Sequence, residues 1–509
     1  TKHGQWRLAR QKILRGHFEK CVGKMRRFTI WPRPKVGYHP HLLFSMKVYQ
    51  MPALRPQRLI LLLTCLVAPL AASFAARANP FETTLPNGLK VVVKEDRRAP
   101  SVVHMVWYRA GAIDEVDGTS GVAHVLEHLM FKGTKTRKSG EFNKLVAAAG
   151  GRDNAFTNQD YTAYFQQVPA SALPQMMALE ADRMVNLVLT EEEFSKEIKV
   201  VMEERRWRTD DKPAGVLYER LMANVFQAHP YRRPVIGWMN DLEAMTAQDA
   251  RDWYQRWYTP NNATVVVVGD VDHRAVFKLA EKAYGKIQKR ALPTRKPRAE
   301  PEQLGIKRLT VKAPAELPVV SMAWRVPMLR DVEKDRESYA LEVLSAVLDG
   351  NNTSRLPRNL VRGTQVAQSA GAGYDGTGRG EGLFVMEGTP ATGKTVAQME
   401  AALRAEIERI QREGVTAEEL ERVKTQIIAS QVYKRDSLFG QAMEIGQMEV
   451  IGMSWRDTER IIEKLQTVSA EEVQAVAQKY FKDDTLTVAV LEPQPMAHAS
   501  AKKPLGLRH

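Results

Sequence analysis

Leu189-Thr190-Glu191-Glu192-Glu193-Phe194 opens one long helical pattern, and Val415-Thr416-Ala417-Glu418-Glu419-Leu420 opens another. In each, a threonine stands where its side-chain oxygen caps the first turn, and acidic residues follow where the positive end of the helix dipole favours them. Other features return in the same order. A helical stretch, Trp257-Tyr258-Thr259-Pro260 and a strand pattern at Ala263–Val268 close the first copy. Helical Ala470–Lys479, then Tyr480-Phe481 and a strand pattern at Thr485–Leu491, close the second. β-branched runs such as Lys90–Val93 and Val102–Trp107 read as further strands, with long amphipathic helices between them. The repetition predicts an α+β fold of two homologous units in tandem, each a mainly antiparallel sheet packed with helices. Residues 79–291 form the first unit, 306–495 the second, and the Pro- and charge-rich stretch 292–305 a linker. Residues 496–509 are expected to be a disordered tail.

The net charge of +15 is unevenly placed. Thr1–Ala78 hold 15 Lys/Arg and a single acid, Glu19, which leaves 59 basic against 58 acidic residues in the remainder. A near-neutral body has no clustered basic face for phosphate backbones, so no nucleic-acid partner is expected. Both cysteines, Cys21 and Cys65, lie in the same leader. Without it no disulfide or thiolate metal site is possible. Met51–Arg58 form a short basic region, Leu59–Phe74 an apolar run interrupted by Pro69, and Ala76-Arg77-Ala78 the small residues that a signal peptidase reads. Residues 51–78 are therefore expected to be a signal peptide cleaved after Ala78, which implies export, to the periplasm or an equivalent compartment, without stable membrane insertion. Residues 1–50 are expected to lie upstream of the true start, at Met51 or Met46, and outside the folded protein.

His124-Val125-Leu126-Glu127-His128 carries the chemistry. On a helix the two histidines are one turn apart and project from one face, where two imidazoles can share a metal ion. Glu127 stands at the edge of that face, within reach of a water at the metal. This is the inverted H-x-x-E-H form of the zinc peptidase motif. A catalytic zinc takes three protein ligands and one water, so a carboxylate from another element is needed. Phe194–Arg205 offers Glu197 and Glu204, seven residues apart on one helical face, with Glu203 pointing elsewhere. Spacing alone leaves these acids open to the plainer reading of a solvated helix face.

The inverted motif, a glutamate 76 residues beyond its second histidine and the duplicated unit together resemble the pitrilysin (insulinase) family of zinc metallopeptidases. Leu85-Pro-Asn-Gly-Leu89, Gly151-Arg-Asp-Asn-Ala-Phe-Thr157 and Ser354-Arg-Leu356 add to the likeness, which spans about residues 81–493. The resemblance implies one Zn2+ per chain held by His124, His128 and Glu204, with Glu127 as general base and Glu197 as a supporting acid. It implies a peptide substrate whose backbone adds to a strand carrying Asn154 and Ala155, a sequence-tolerant mode of binding.

The second copy does not repeat the metal set: Glu342, Ser345 and Ala346 stand opposite His124, Glu127 and His128, and Ser430 opposite Glu204. Family members that act as one chain carry an Arg and, seven residues on, a Tyr that hold substrate. Here Arg362 fits the Arg, but Ser369 stands at the Tyr position, and Tyr374 is five residues further. This resembles the two-chain, processing-peptidase-like branch, and implies a homologous partner subunit in a heterodimer, or alternatively a homodimer. The family also contains non-catalytic peptide-binding or structural subunits, and that role is the competing function.

Two glycine patterns suggest other chemistry. Gly388-Thr-Pro-Ala-Thr-Gly-Lys394-Thr395 matches a P-loop, but it aligns with Val168–Ala172 of the first copy, an ordinary strand-to-helix turn, and Pro390 removes an amide. Gly371-Ala-Gly-Tyr-Asp-Gly376 matches a dinucleotide fingerprint without opening a helix, and is expected to be a flexible loop with at most a minor substrate contact.

Overall fold

The computed structural model describes residues 79–495. The expectations for the leader, its cleavage site, both cysteines and the tail fall outside these residues. No helix among the described residues is long and apolar enough to cross a membrane.

The chain folds as two α+β units of the same design. The first sheet contains β1 (Phe81–Thr84), β2 (Lys90–Glu95), β3 (Ser101–Tyr108), β4 (Arg152–Thr157), β5 (Thr162–Pro169) and β6 (Ala263–Gly269), in the order β1-β2-β6-β3-β5-β4. The second contains β7 (Lys307–Pro314), β8 (Val319–Val326), β9 (Ala367–Asp375), β10 (Gly382–Pro390) and β11 (Leu486–Gln494), in the order β7-β11-β8-β10-β9. Removing β1 makes the two orders superimposable. In each, the first and last strands of the repeat run parallel (β2 with β6, β7 with β11), and every other pairing is antiparallel. Between the units, residues 292–304 form neither helix nor strand.

Val265-Val266-Val267-Val268 shows why the units cannot be separated cleanly at that linker. Successive strand residues face opposite sides of a sheet, so an unbroken valine run requires cover on both faces. Val265 and Val267 pack into the core made with the first unit's own helices. Val266 and Val268, with Val92, Val103, Met105 and Trp107, pack instead against Ala442, Ile445, Val450 and Ile451 of the helix Leu438–Ile451, which belongs to the second unit. The exchange is reciprocal. Leu217, Leu221 and Val225 of the first unit's helix Pro213–Val225 pack on Val311, Ala313, Ala323, Ala489 and Leu491 of the second sheet. A linker read from composition marks where the chain passes from sheet to sheet; the helices exchanged across it are visible only in the packing.

The glycine-rich patterns resolve into strands. Gly371–Asp375 lie in β9, each paired across to β10, so the expected flexible loop is instead the edge of the second sheet, its backbone held by the ladder. The first three residues of the P-loop match lie at the end of β10. There Gly388 pairs with both Val320 and Ala370, and its amide is not turned into a phosphate cradle.

Gly446, on the exchanged helix, rests on the Trp107 indole so closely that a Cβ there would overlap the ring. Gly446→Leu is expected to lower stability by about 1–3 kcal/mol through overpacking. A urea titration followed by tryptophan fluorescence checks this, and an unchanged midpoint would show that the helix is not pressed on the sheet.

Candidate metal centre

The helix Val122–Leu129 carries the HxxEH motif, and its start is fixed by three side chains. The Glu115 carboxylate accepts from the amides of Gly121 (2.9 Å) and Ala123 (3.0 Å), satisfying donors that a helix N-terminus leaves unpaired. Burial pushes the Glu115 carboxyl up to about 8, against the pull of those amides and of Arg233. Ser120 donates its hydroxyl to Asp241 and accepts from the Trp238 amide at 2.9 Å. Gly121 adopts φ +89°, and a Cβ there would stand 2.6 Å from the Ile236 carbonyl oxygen, so only glycine fits.

The helix Glu191–Arg205 lies alongside. Thr190 caps it by accepting from the Glu193 amide at 3.2 Å. At its other end the buried Arg205 donates to both oxygens of Glu219, at 2.7 and 3.1 Å, and to the Gly237 carbonyl at 2.8 Å. A π-helical turn, Arg206–Asp210, follows at once.

These two helices bring His124, His128 and Glu204 together. Glu204 Oε2 lies 3.3 Å from His128 Nε2 and 3.7 Å from His124 Nε2, and one ligand atom from each residue lies within 4.8 Å of the others. Two ligands of a tetrahedral zinc stand about 3.4 Å apart, so this His2Glu set fits the ion and leaves one position for water. His124 is buried, and its Nδ1 has no hydrogen-bond partner. Burial draws its imidazole down to about 3, with His128 and Arg208 pushing the same way, so the ring is neutral and offers a lone pair.

Of the two acids that spacing left open, each has its own place. Glu197 is buried: its Oε2 lies 3.4 Å from His128 Nδ1 and its Oε1 2.6 Å from Lys132 Nζ. A carboxylate on the far nitrogen of a ligating histidine fixes the tautomer and raises its basicity. Glu203, on the other face, is exposed and pairs with Arg206. Glu127 accepts from the Thr157 hydroxyl at 2.6 Å, and burial raises its carboxyl above the ordinary glutamate value despite that hydrogen bond.

Asn154 and Ala155 lie on β4, which pairs with β5 on one side and is the edge of its sheet on the other. The structure does not bring Arg362 to the cluster. It is exposed on the π-helical turn Pro357–Gly363 and donates to the Asn352 carbonyl. Ser369 is in β9, and the Tyr374 hydroxyl is tied to the Pro327 carbonyl at 2.7 Å. Sequence reasoning missed Lys132, Thr157, Arg208 and Glu115. Thr157 closes the Gly151–Thr157 motif, which was its only local signal; Arg208, one turn beyond Glu204, pairs with it at 2.9 Å.

Residues 90–238 match the family model described as Insulinase (Peptidase family M16), and residues 244–427 that of the Peptidase M16 inactive domain. The chain belongs to the M16 peptidase family. Among its relatives, zinc protease PqqE of Helicobacter pylori is 33% identical over 86% of this chain and 99% of that protein. An uncharacterized zinc protease of Mycobacterium tuberculosis is 32% identical over 82% and 94%. The crystal structure of a protease from Helicobacter pylori superimposes with a TM-score of 0.77 at 32% identity, covering 81% of this chain and all of that one. The first half of the periplasmic protease PqqL from Escherichia coli shares the fold, with a TM-score of 0.70 at 21% identity, covering 82% and 92%. The helix with the HxxEH motif thus sits in the unit matched by the insulinase model, and the unit called inactive is the one lacking the His/Glu set.

Glu197→Gln is expected to weaken zinc binding by about 10- to 100-fold while leaving the fold intact. Competition against a chelator of known affinity measures it; wild-type affinity would mean that Glu197 does not support His128.

Proposed function

We propose that this chain is an exported zinc metalloendopeptidase that hydrolyses peptides or unfolded polypeptide segments. The observation that carries the reading is the convergence of His124, His128 and Glu204, on two separately anchored helices, beside a desolvated Glu127.

His124, His128 and Glu204 would hold the ion. A zinc bound there supplies a water of lowered pKa and a Lewis acid for the scissile carbonyl. Glu127 accepts the attacking water's proton and delivers it to the leaving amine, a double role suited to a carboxyl raised by burial. Thr157 holds Glu127 in one orientation through its hydroxyl. Glu197 holds His128 by Nδ1, which leaves Nε2 facing Glu204. The open edge of β4, at Asn154 and Ala155, accepts an extended substrate through main-chain hydrogen bonds, so selectivity rests on which segments can lie flat against it.

Export is supported by the leader and by the likeness to a periplasmic protease. A homologous partner subunit is supported by the second unit, where Arg362 and Tyr374 are hydrogen-bonded to backbone carbonyls and Ser369 replaces a phenol. A heterodimer supplies the missing substrate contacts; a homodimer is the alternative.

Purified chain is expected to contain one zinc and to cleave a quenched-fluorescence peptide. Glu127→Gln should keep the zinc and lose about 10²- to 10⁴-fold in kcat. Full activity in that variant would remove the mechanism, and absence of stoichiometric zinc from the wild type would leave only a peptide-binding role. Adding a homologous partner is expected to raise kcat/KM. If chain-only activity already equals that of the mixture, the heterodimer reading fails.

A further inference from the structure

Gly376-Thr377-Gly378-Arg379-Gly380-Glu381 connects β9 to β10 in the second unit, yet it lies on the first. Its glycines make that approach possible. A Cβ at Gly378 would stand 2.9 Å from Asp160 Oδ2, and one at Gly380 would overlap His229 and Tyr231. The Gly380 amide donates to the Tyr231 hydroxyl at 2.9 Å, and that hydroxyl donates to Asp160 Oδ1 at 2.7 Å.

Arg379 projects from this loop into the first unit. Its guanidinium donates to both carboxylate oxygens of Asp114, at 2.7 and 2.9 Å, and to the Asp160 carbonyl at 2.8 Å. Its own amide donates to Asp160 Oδ2 at 3.1 Å. Only 7% of the Arg379 side chain and 3% of Asp114 are exposed, so water screens the pair little.

Each partner of Arg379 leads to one arm of the site. Asp114 precedes Glu115, whose carboxylate holds the first amides of the metal helix. Asp160 lies in the turn that follows Thr157, whose hydroxyl holds Glu127. The two arms also grip each other. The amides of Ala112 and Ile113 donate to the carbonyls of Asn158 (3.2 Å) and Gln159 (2.8 Å), and a Cβ at Gly111 would stand 2.5 Å from the Tyr161 amide. Neither Asp114 nor Asp160 belongs to the His/Glu cluster.

We propose that Arg379 is a positioning residue through which the metal-free second unit sets the placement of Glu127 and of the metal helix. The inference rests on the proteolytic reading above. A planar fork gripping two oxygens and a carbonyl fixes both distance and orientation, which a lysine ammonium cannot do. Its loss leaves Asp114 buried with Arg295, at 2.8 Å, as its remaining ion-pair partner, and removes the guanidinium donor from the Asp160 carbonyl, which loosens the 158–161 turn. Misplacing a reacting group by about 1 Å from a remote site costs on the order of 10²-fold in rate.

The test compares wild type, Arg379→Ala and Arg379→Lys as full chains, with Glu127→Gln as the control. Arg379→Ala is expected to keep its zinc, to change KM less than about 2-fold and to lose about 10- to 100-fold in kcat. Arg379→Lys should fall between it and wild type, and added methylguanidinium should restore part of the kcat of Arg379→Ala, which a merely structural lesion would not allow. Amide hydrogen exchange should quicken at residues 112–128 and 157–161 in both variants, with or without zinc. Wild-type kcat and unchanged exchange in Arg379→Ala would overturn the inference while leaving the peptidase standing. If Arg379→Ala does not fold, wild-type kcat and exchange in Arg379→Lys overturn it equally. An inactive wild type would remove the proteolytic reading instead, and exchange in those two segments would still decide whether Arg379 holds them.

Discussion

Two imidazoles and three carboxyl groups crowd into one poorly hydrated corner between the helices Val122–Leu129 and Glu191–Arg205. Taking such groups out of water is costly unless each is paired or bonded. The surroundings answer that demand residue by residue: Lys132 lies on Glu197, Arg208 on Glu204 and the Thr157 hydroxyl on Glu127. A cation shared by His124, His128 and Glu204 would complete the set. The rest of the architecture can be understood as what keeps these two helices side by side.

Their anchors reach well beyond the first unit. The HxxEH helix is held at its start by Glu115 and by the Ser120–Asp241 contact. The helix Glu191–Arg205 is held at its end by Arg205, one residue past Glu204, which grips Glu219 on the helix Pro213–Val225. That helix packs on the second sheet. In return, the second unit's helix Leu438–Ile451 covers the valine-rich face of the first sheet. The second unit has Glu342, Ser345, Ala346 and Ser430 where the first has His124, Glu127, His128 and Glu204, but its packing against the first unit helps to hold those residues in place. Its loss of ligands and its retention of the fold are compatible for that reason.

Much of this was legible from local pattern. Capping threonines and acidic first turns located both long helices, and a helical period of 3.6 residues put His124 and His128 on one face. Period also put Glu197 and Glu204 on a common face, but it did not say which acid meets the imidazoles. That depends on how far along its axis one helix lies against the other. The glycines at 371–376 misled because composition reports what a backbone is able to do, whereas pairing with β10 decides what it does. Arg362 was assigned by the family resemblance, and in the folded chain its guanidinium donates to the Asn352 carbonyl.

By itself the sequence determined the duplicated α+β unit, the one copy that carries the His/Glu set, and the residue types offered there, because these follow from short-range periodicity and side-chain chemistry. Only the tertiary structure decided that Glu204 faces both rings while Glu197 backs His128, that Thr157 holds Glu127, and that helices and Arg379 cross between the units. Those contacts join residues tens to hundreds of positions apart, and a local pattern reveals that a face must be buried without revealing what will bury it.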